Sequence, residues 1–213
     1  VKSVGPDELW EQATDGLRAA LDASGLDYEV DEGDGAFYGP KIDVDVRDAI
    51  GRSWQLSTIQ LDFNLPDRFE LEYVASDGER KQPVMIHRAL FGSVERFFGV
   101  LLEHFAGAFP AWLAPVQVRV LPVADEHDDY AETVHQLLVA RGFRADLVAA
   151  TDPLGKRVRA GKVEKIPYVL VVGDDDVGAG TVGVNARGNE VERGVNLTDF
   201  VERIESELAE HRV

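Results

Sequence analysis

Apolar and polar positions change period several times along the chain, and each change marks an element. Over residues 7–24, Trp10, Ala13, Leu17, Ala20 and Leu21 recur at helical spacing. Asp7 is placed to cap that helix and Gly25 to end it. Over 42–47 the period drops to two: Ile42, Val44 and Val46 alternate with Asp43, Asp45 and Arg47, as in a half-buried strand. Residues 48–51 read as a turn and 54–63 as a second strand, which predicts an antiparallel hairpin. A third strand is expected over 69–75, before the turn signal Ser76-Asp77-Gly78. The strongest helical pattern covers 88–105, with Leu90, Phe91, Val94, Phe97, Phe98, Leu101, Leu102 and Phe105 on one face. Arg88, Gly92, Arg96, Gly99 and Glu103 fall opposite. Two glycines inside a helix cost about 1 kcal/mol each relative to alanine, which makes sense where something must approach closely.

After Pro110 and Pro115 the pattern changes character. Strands are expected at 116–123, 144–148 and 168–172, with helices at 128–141 and 154–164 between them. Two short strands near 181–186 and 190–194 and a helix over 197–211 complete the chain. The fold class is therefore α+β with an antiparallel sheet over 1–112, followed by a compact, mostly parallel α/β domain over 113–213.

Composition narrows the function classes only a little. No apolar run approaches the ~20 residues of a membrane-spanning helix, and no secretory signal opens the chain. The absence of cysteine fits a cytoplasmic protein. Asp and Glu number 39 against 22 Lys and Arg, a net charge of −17 that repels polyanions at long range. Against that background one segment is densely basic, from Gly155 to Lys165, with Lys156, Arg157, Arg159, Lys162 and Lys165. Those charges scatter around a helical wheel, so a local contact to nucleic-acid phosphates competes with a merely solvated surface. The chain opens on Val1 and its one methionine is Met85, so a longer polypeptide is expected.

Four ordered strings say more. G-A-F-Y-G-P-K-I-D (Gly35 to Asp43), W-Q-L-S-T-I-Q-L-D-F (Trp54 to Phe63), P-V-M-I-H-R-A-L-F-G-S-V-E-R-F (Pro83 to Phe97) and F-P-A-W-L-A-P-V-Q-V (Phe109 to Val118) are similar in order and spacing to threonyl-tRNA synthetases. The resemblance implies the rear of a class II catalytic domain followed by an anticodon-binding domain. It implies an ATP-dependent ligase that joins threonine to tRNA(Thr), with Mg2+ and Zn2+ as further cofactors and a homodimer as the whole protein. G-S-V-E-R-F matches the third class II motif, so Ser93 falls in the ATP site and Arg96 is the arginine that meets the ATP phosphates. Tyr38, Lys41, Gln55, Thr58 and Gln60 match pocket positions, with Lys41 and Arg96 as catalytic cations. His87 matches one of three zinc ligands, the other two being upstream in the family. The basic helix then becomes the candidate tRNA contact, although Thr151-Asp152-Pro153-Leu154 and Asn185-Ala186-Arg187 depart from the family's pattern. The alternative is a non-catalytic synthetase-like protein that binds tRNA or a partner.

One geometric requirement follows. In a regular strand residues 55 and 60 point to opposite faces. If Gln55 and Gln60 share a pocket, a bulge must lie between them, and Ser57-Thr58 is the expected place.

Overall fold

Alternating Ile42, Val44 and Val46 do form a strand: β1 (Lys41–Arg47) pairs antiparallel with β2 (Ser53–Asp62) in a computed structural model that describes residues 3–211. The connecting turn is organised by Asp48, whose Oδ1 accepts the main-chain N–H of Ile50 and of Arg52 at 3.1 and 2.8 Å. Before the hairpin comes α1 (Asp7–Ser24), ended by Gly25 at φ 69°. Its N-cap is Pro6, with no side-chain cap bond, so Asp7 is the first helical residue and not the cap. Asp7 and Glu8 still favour that end by facing the positive pole of the helix dipole.

Two expectations fail between 63 and 93. In place of a strand over 69–75 the chain forms a short helix, α2 (Asn64–Arg68), and then a small ribbon of β3 (Tyr73–Val74) and β4 (Arg80–Lys81). The helix expected from 88 begins only at α3 (Val94–His104). Residues 85–89 are instead the strand β5 (Met85–Ala89), antiparallel to β2, which gives a sheet of order β1-β2-β5. Met85, His87 and Ala89 lie on the half-buried side of β5, while Ile86 and Arg88 are exposed. This period of two was masked by the aromatic residues that follow. Gly92 is not helical: it turns the chain at φ 63°, where an added Cβ would stand 3.0 Å from the Leu56 carbonyl oxygen.

The chain divides into two units, Val1–His104 and Phe105–Val213. In the second, β6 (Val118–Pro122) runs parallel to β7 (Ala145–Leu147) and β8 (Tyr168–Val172). Antiparallel β9 (Thr181–Ala186) and β10 (Glu192–Asn196) extend the sheet, so it is mixed, in the order β10-β9-β8-β6-β7. The crossover helices are α4 (Asp128–Ala140) and α5 (Leu154–Val163); α6 (Asp174–Ala179) and α7 (Leu197–Ala209) follow. Val118, Val120, Leu170, Val172, Val182 and Val184 from the strands meet Val134, Leu138, Phe200 and Ile204 from the helices in one buried core. Among the described residues no helix is long and apolar enough to cross a membrane.

Candidate functional site

The candidate residues are gathered by an irregularity in β2. Lys41 stands opposite Gln60 and Asp43 opposite Thr58, but Asp45 stands opposite Gln55, with Val44 paired to Ser57. Leu56 therefore has no partner in β1, and the ladder shifts there. The break lies one residue before the expected Ser57-Thr58. Directly opposed residues of antiparallel strands share a face. Gln55, Thr58 and Gln60 thus lie on the same side as Lys41, Asp43 and Asp45. On the other flank β5 sets His87 opposite Gln60 and Ala89 opposite Thr58. Successive rows on this face are roughly 7 Å apart, two residues of strand rise.

At one end of the face, the Tyr38 hydroxyl donates to Gln60 Oε1 at 2.5 Å, and its ring lies 6.1 Å edge-on from that of His87. Tyr38 is held close to β2 because Gly39 follows it. A Cβ on Gly39 would fall 2.0 Å from the Leu61 carbonyl oxygen, so only glycine permits this approach. His87 Nε2 sits 2.8 Å from Asp62 Oδ2, and Asp62 Oδ1 accepts the N–H groups of Asn64 and Leu65 that begin α2. Burial pushes the Asp62 carboxyl upward, but His87 and those two amides outweigh it and hold the group below the usual range. Lys41 Nζ lies 2.8 Å from Asp34 and 2.6 Å from Asp43. Hydrogen bonds to Asp34 and then Asp43 raise its pKa, so it is a fixed ammonium and a poor base.

At the other end lies a hollow of about 280 Å³, lined by Gln55, Leu56, Ser57, Thr58, Gly92, Ser93 and Arg96. Ser93 Oγ accepts the Arg96 N–H at 3.1 Å and so caps α3. The Arg96 side chain is exposed; its Nη1 donates to the Gln55 carbonyl at 3.1 Å. Glu103, two turns further along the same helix, is 3.1 Å from Arg52.

A zinc ion needs about four ligands. His87 offers one, and no group of three metal donors surrounds it among the described residues, so this chain by itself does not fit a zinc centre. Among those residues one such group exists, Glu126, His127 and Asp174 in the second unit. There both ring nitrogens of His127 are already engaged, Nδ1 by the Ala124 N–H and Nε2 by Asp174.

The basic segment does not behave as one surface. Arg157 is 4% exposed and donates to the carbonyls of Asp152, Pro122, Val148 and Val123, so it joins α5 to the ends of β6 and β7 and cannot reach a phosphate. Lys156 pairs with Asp152, and Lys165 Nζ donates to the Ala106 carbonyl. Arg159 and Lys162 are exposed. Asn185, one of the departures from the family pattern, donates to the Val169 carbonyl at 3.3 Å.

Sequence reasoning missed Asp34, Asp43, Asp48, Trp54 and Asp62. Their partners can be far away, His87 for Asp62 and Arg96 for Trp54, and no local pattern carries a signal of that.

Residues 6–105 match the tRNA synthetase class II core domain (G, H, P, S and T), and residues 117–207 match the anticodon binding domain. A threonine–tRNA ligase of Sulfurihydrogenibium sp. (strain YO3AOP1) is 50% identical over 212 residues, which is 100% of this chain and 33% of that protein. One from Acidithiobacillus ferrooxidans (strain ATCC 53993 / BNL-5-31) is 57% identical over 188 residues, 88% of this chain and 29% of that protein. The chain thus spans about a third of the length of the curated relatives it matches. Among solved structures, the RNA binding domain of threonyl-tRNA synthetase from Cryptosporidium parvum Iowa II superposes with a TM-score of 0.86 at 37% identity, covering 96% of this chain and 52% of that one. With a class II core and an anticodon-binding domain in tandem, and threonine–tRNA ligases about half identical along its whole length, the chain belongs to the threonyl-tRNA synthetase family of class II tRNA synthetases.

Proposed function

We propose that this chain is part of a threonine–tRNA ligase, which activates threonine with ATP and esterifies it to tRNA(Thr). The observation that carries the reading is the polar face created by the Leu56 bulge, along which Lys41, Gln60, His87, Thr58 and Gln55 lead toward Arg96. In this reading residues 1–112 belong to the catalytic domain and 113–213 form the anticodon-binding domain. Tyr38, Gln55, Thr58, Gln60 and Ser93 contact threonine and ATP. Lys41 acts as a fixed positive charge, which its two carboxylate neighbours favour. Arg96 presents its planar fork to the ATP phosphates and stabilises charge on the departing pyrophosphate. ATP and Mg2+ are the cofactors of that step. For Zn2+, His87 brings a single donor, and the remaining donors come from outside this chain. Lys156, Arg159, Lys162 and Lys165 face tRNA phosphates; the complete protein is a cytoplasmic homodimer.

Threonine-dependent ATP–pyrophosphate exchange tests this. The chain replaces the matching third of a related threonine–tRNA ligase, and the chimera is expected to exchange. Arg96→Ala is expected to lower its kcat by about 10²-fold or more, as for loss of other charge-stabilising groups. The 213 residues by themselves are expected to show no exchange. A folded chimera that exchanges with another amino acid, or with none, overturns the reading.

A further inference from the structure

We infer that Trp54, clamped by Asp48, is a positioning residue for the Arg96 guanidinium; this rests on the reading of Arg96 as a phosphate contact. Arg96 is exposed and long, and such a side chain ordinarily samples many rotamers. Two neighbours restrain it here. One is the Gln55 carbonyl at 3.1 Å from Nη1. The other is the indole of Trp54, whose ring centroid lies 5.7 Å from Arg96 Cζ, within the ~6 Å reach of a cation–π contact.

The indole is itself fixed. Its Nε1–H donates to Asp48 Oδ2 at 2.9 Å. The Asp48 side chain is wholly buried and accepts three further donors: the N–H groups of Ile50 and Arg52, and Arg52 Nε at 2.5 Å. Four donors saturate a carboxylate, so the turn and the ring form one rigid part.

What distinguishes this arrangement is the chemistry of the holders. A carbonyl oxygen and an aromatic face orient a guanidinium without neutralising it, whereas a carboxylate would do both. Among the described residues Arg96 makes no ion pair. Glu103, two turns further along α3, pairs with Arg52, which also lies over Trp54 at 5.5 Å. Arg96 thus remains aimed and uncompensated, ready for an anion.

The test uses the whole chain and inorganic tripolyphosphate as probe. Affinity is measured by titration, and the Arg96 Hε resonance by NMR reports the ring current of Trp54. Arg96→Ala is expected to abolish most of the binding. Trp54→Leu is expected to weaken it about two- to fivefold, the scale of one exposed cation–π contact, and to remove the ring-current shift. Trp54→Phe, with a weaker face, is expected between the two in both readouts. Trp112→Phe, in the second unit, is the control and is expected to change neither. If Arg96→Ala weakens binding but Trp54→Leu leaves affinity and the Arg96 resonance unchanged, the inference fails while the reading of Arg96 stands. If the parent chain binds no tripolyphosphate, or Arg96→Ala binds as well, the reading itself fails. Should Trp54→Leu not fold, Trp54→Phe decides: affinity and Arg96 resonance both identical to the parent overturn the inference.

Discussion

The two units solve the problem of burying a sheet in different ways. In the second, strands and helices close a core of their own. Val118, Val120, Leu138, Leu170, Phe200 and Ile204 are all at 0% exposure. In the first, Leu56 and Phe63, with Pro40 and Pro66, are the buried apolar residues among those described, and neither α1 nor α3 has a buried residue. Ile86, Leu90, Val94 and Phe98 are more than half exposed. Part of the difference lies in how the faces of the sheets are used. One face of β1-β2-β5 is given over to Lys41, Asp43, Gln55, Thr58, Gln60 and His87, so it cannot carry an apolar core. A site-bearing sheet and a self-sufficient one spend their residues differently, and the first unit is held by fixed polar contacts such as those of Asp48 and Asp62.

Mutation can break that contrast. The largest effect is expected from Phe200→Ala, which empties the centre of the second core and should cost about 3–5 kcal/mol. Chemical denaturation should show that loss in the second unit's transition, with the first unit's transition unmoved; an equal loss in both would erase the distinction. Next comes Arg157→Met. It strands several buried carbonyls, each costing about 1–3 kcal/mol, so the second unit should lose about 2–4 kcal/mol, while Arg159→Met stays within about 0.5 kcal/mol.

Acidity sharpens the same contrast, with opposite signs. Burial alone would raise the Asp48 carboxyl, but Trp54, Arg52 and two amides hold it well below its ordinary 3.8. A depressed carboxylate stabilises above its unfolded pKa, and that contribution drains away as pH falls below about 3.8. The first unit should therefore lose stability on the acid side, less so in Asp48→Asn. In the second unit Tyr168 is raised above 10.0 by burial and by its hydrogen bond to Glu207. Its contribution is complete below that value and lost as pH rises beyond it, so Tyr168→Phe should flatten the alkaline limb. The smallest effect is expected at Val94→Ser on α3, within about 0.5 kcal/mol for this chain, because the side chain is 70% exposed. A loss above 2 kcal/mol there would mean that α3 is packed after all.

The same division governs what could be read in advance. In the second unit β8 appears where an apolar run stands between Pro167 and Gly173, and α4 and α5 follow helical periodicity. Among the described residues α6 escaped, being six residues long with too few apolar positions to show a period, as did the three-residue 3-10 turn Asp125–His127. In the first unit β5 was hidden because Leu90 and Phe91 continue an apolar rhythm that α3 takes up later. The candidate site was legible through four strings of residues, and strand parity demanded the bulge. The clamps formed by Asp48 and Asp62 were not legible, since local pattern carries no information on which distant ring or imidazole a carboxylate will meet.

Leu56 sets the phase of the strand. Were it drawn into the ladder opposite Asp45, with the residues before it slipping by one, β1 and β2 would pair regularly. Yet everything before it would change sides: Gln55 would turn away from Thr58 and Gln60, and Trp54 would leave Asp48 and Arg96. The extra residue works like a half-step in a staircase, letting one continuous strand present two stretches of side chains to the same room. A strand slipped into that regular register would be tidier as a sheet and useless as a pocket.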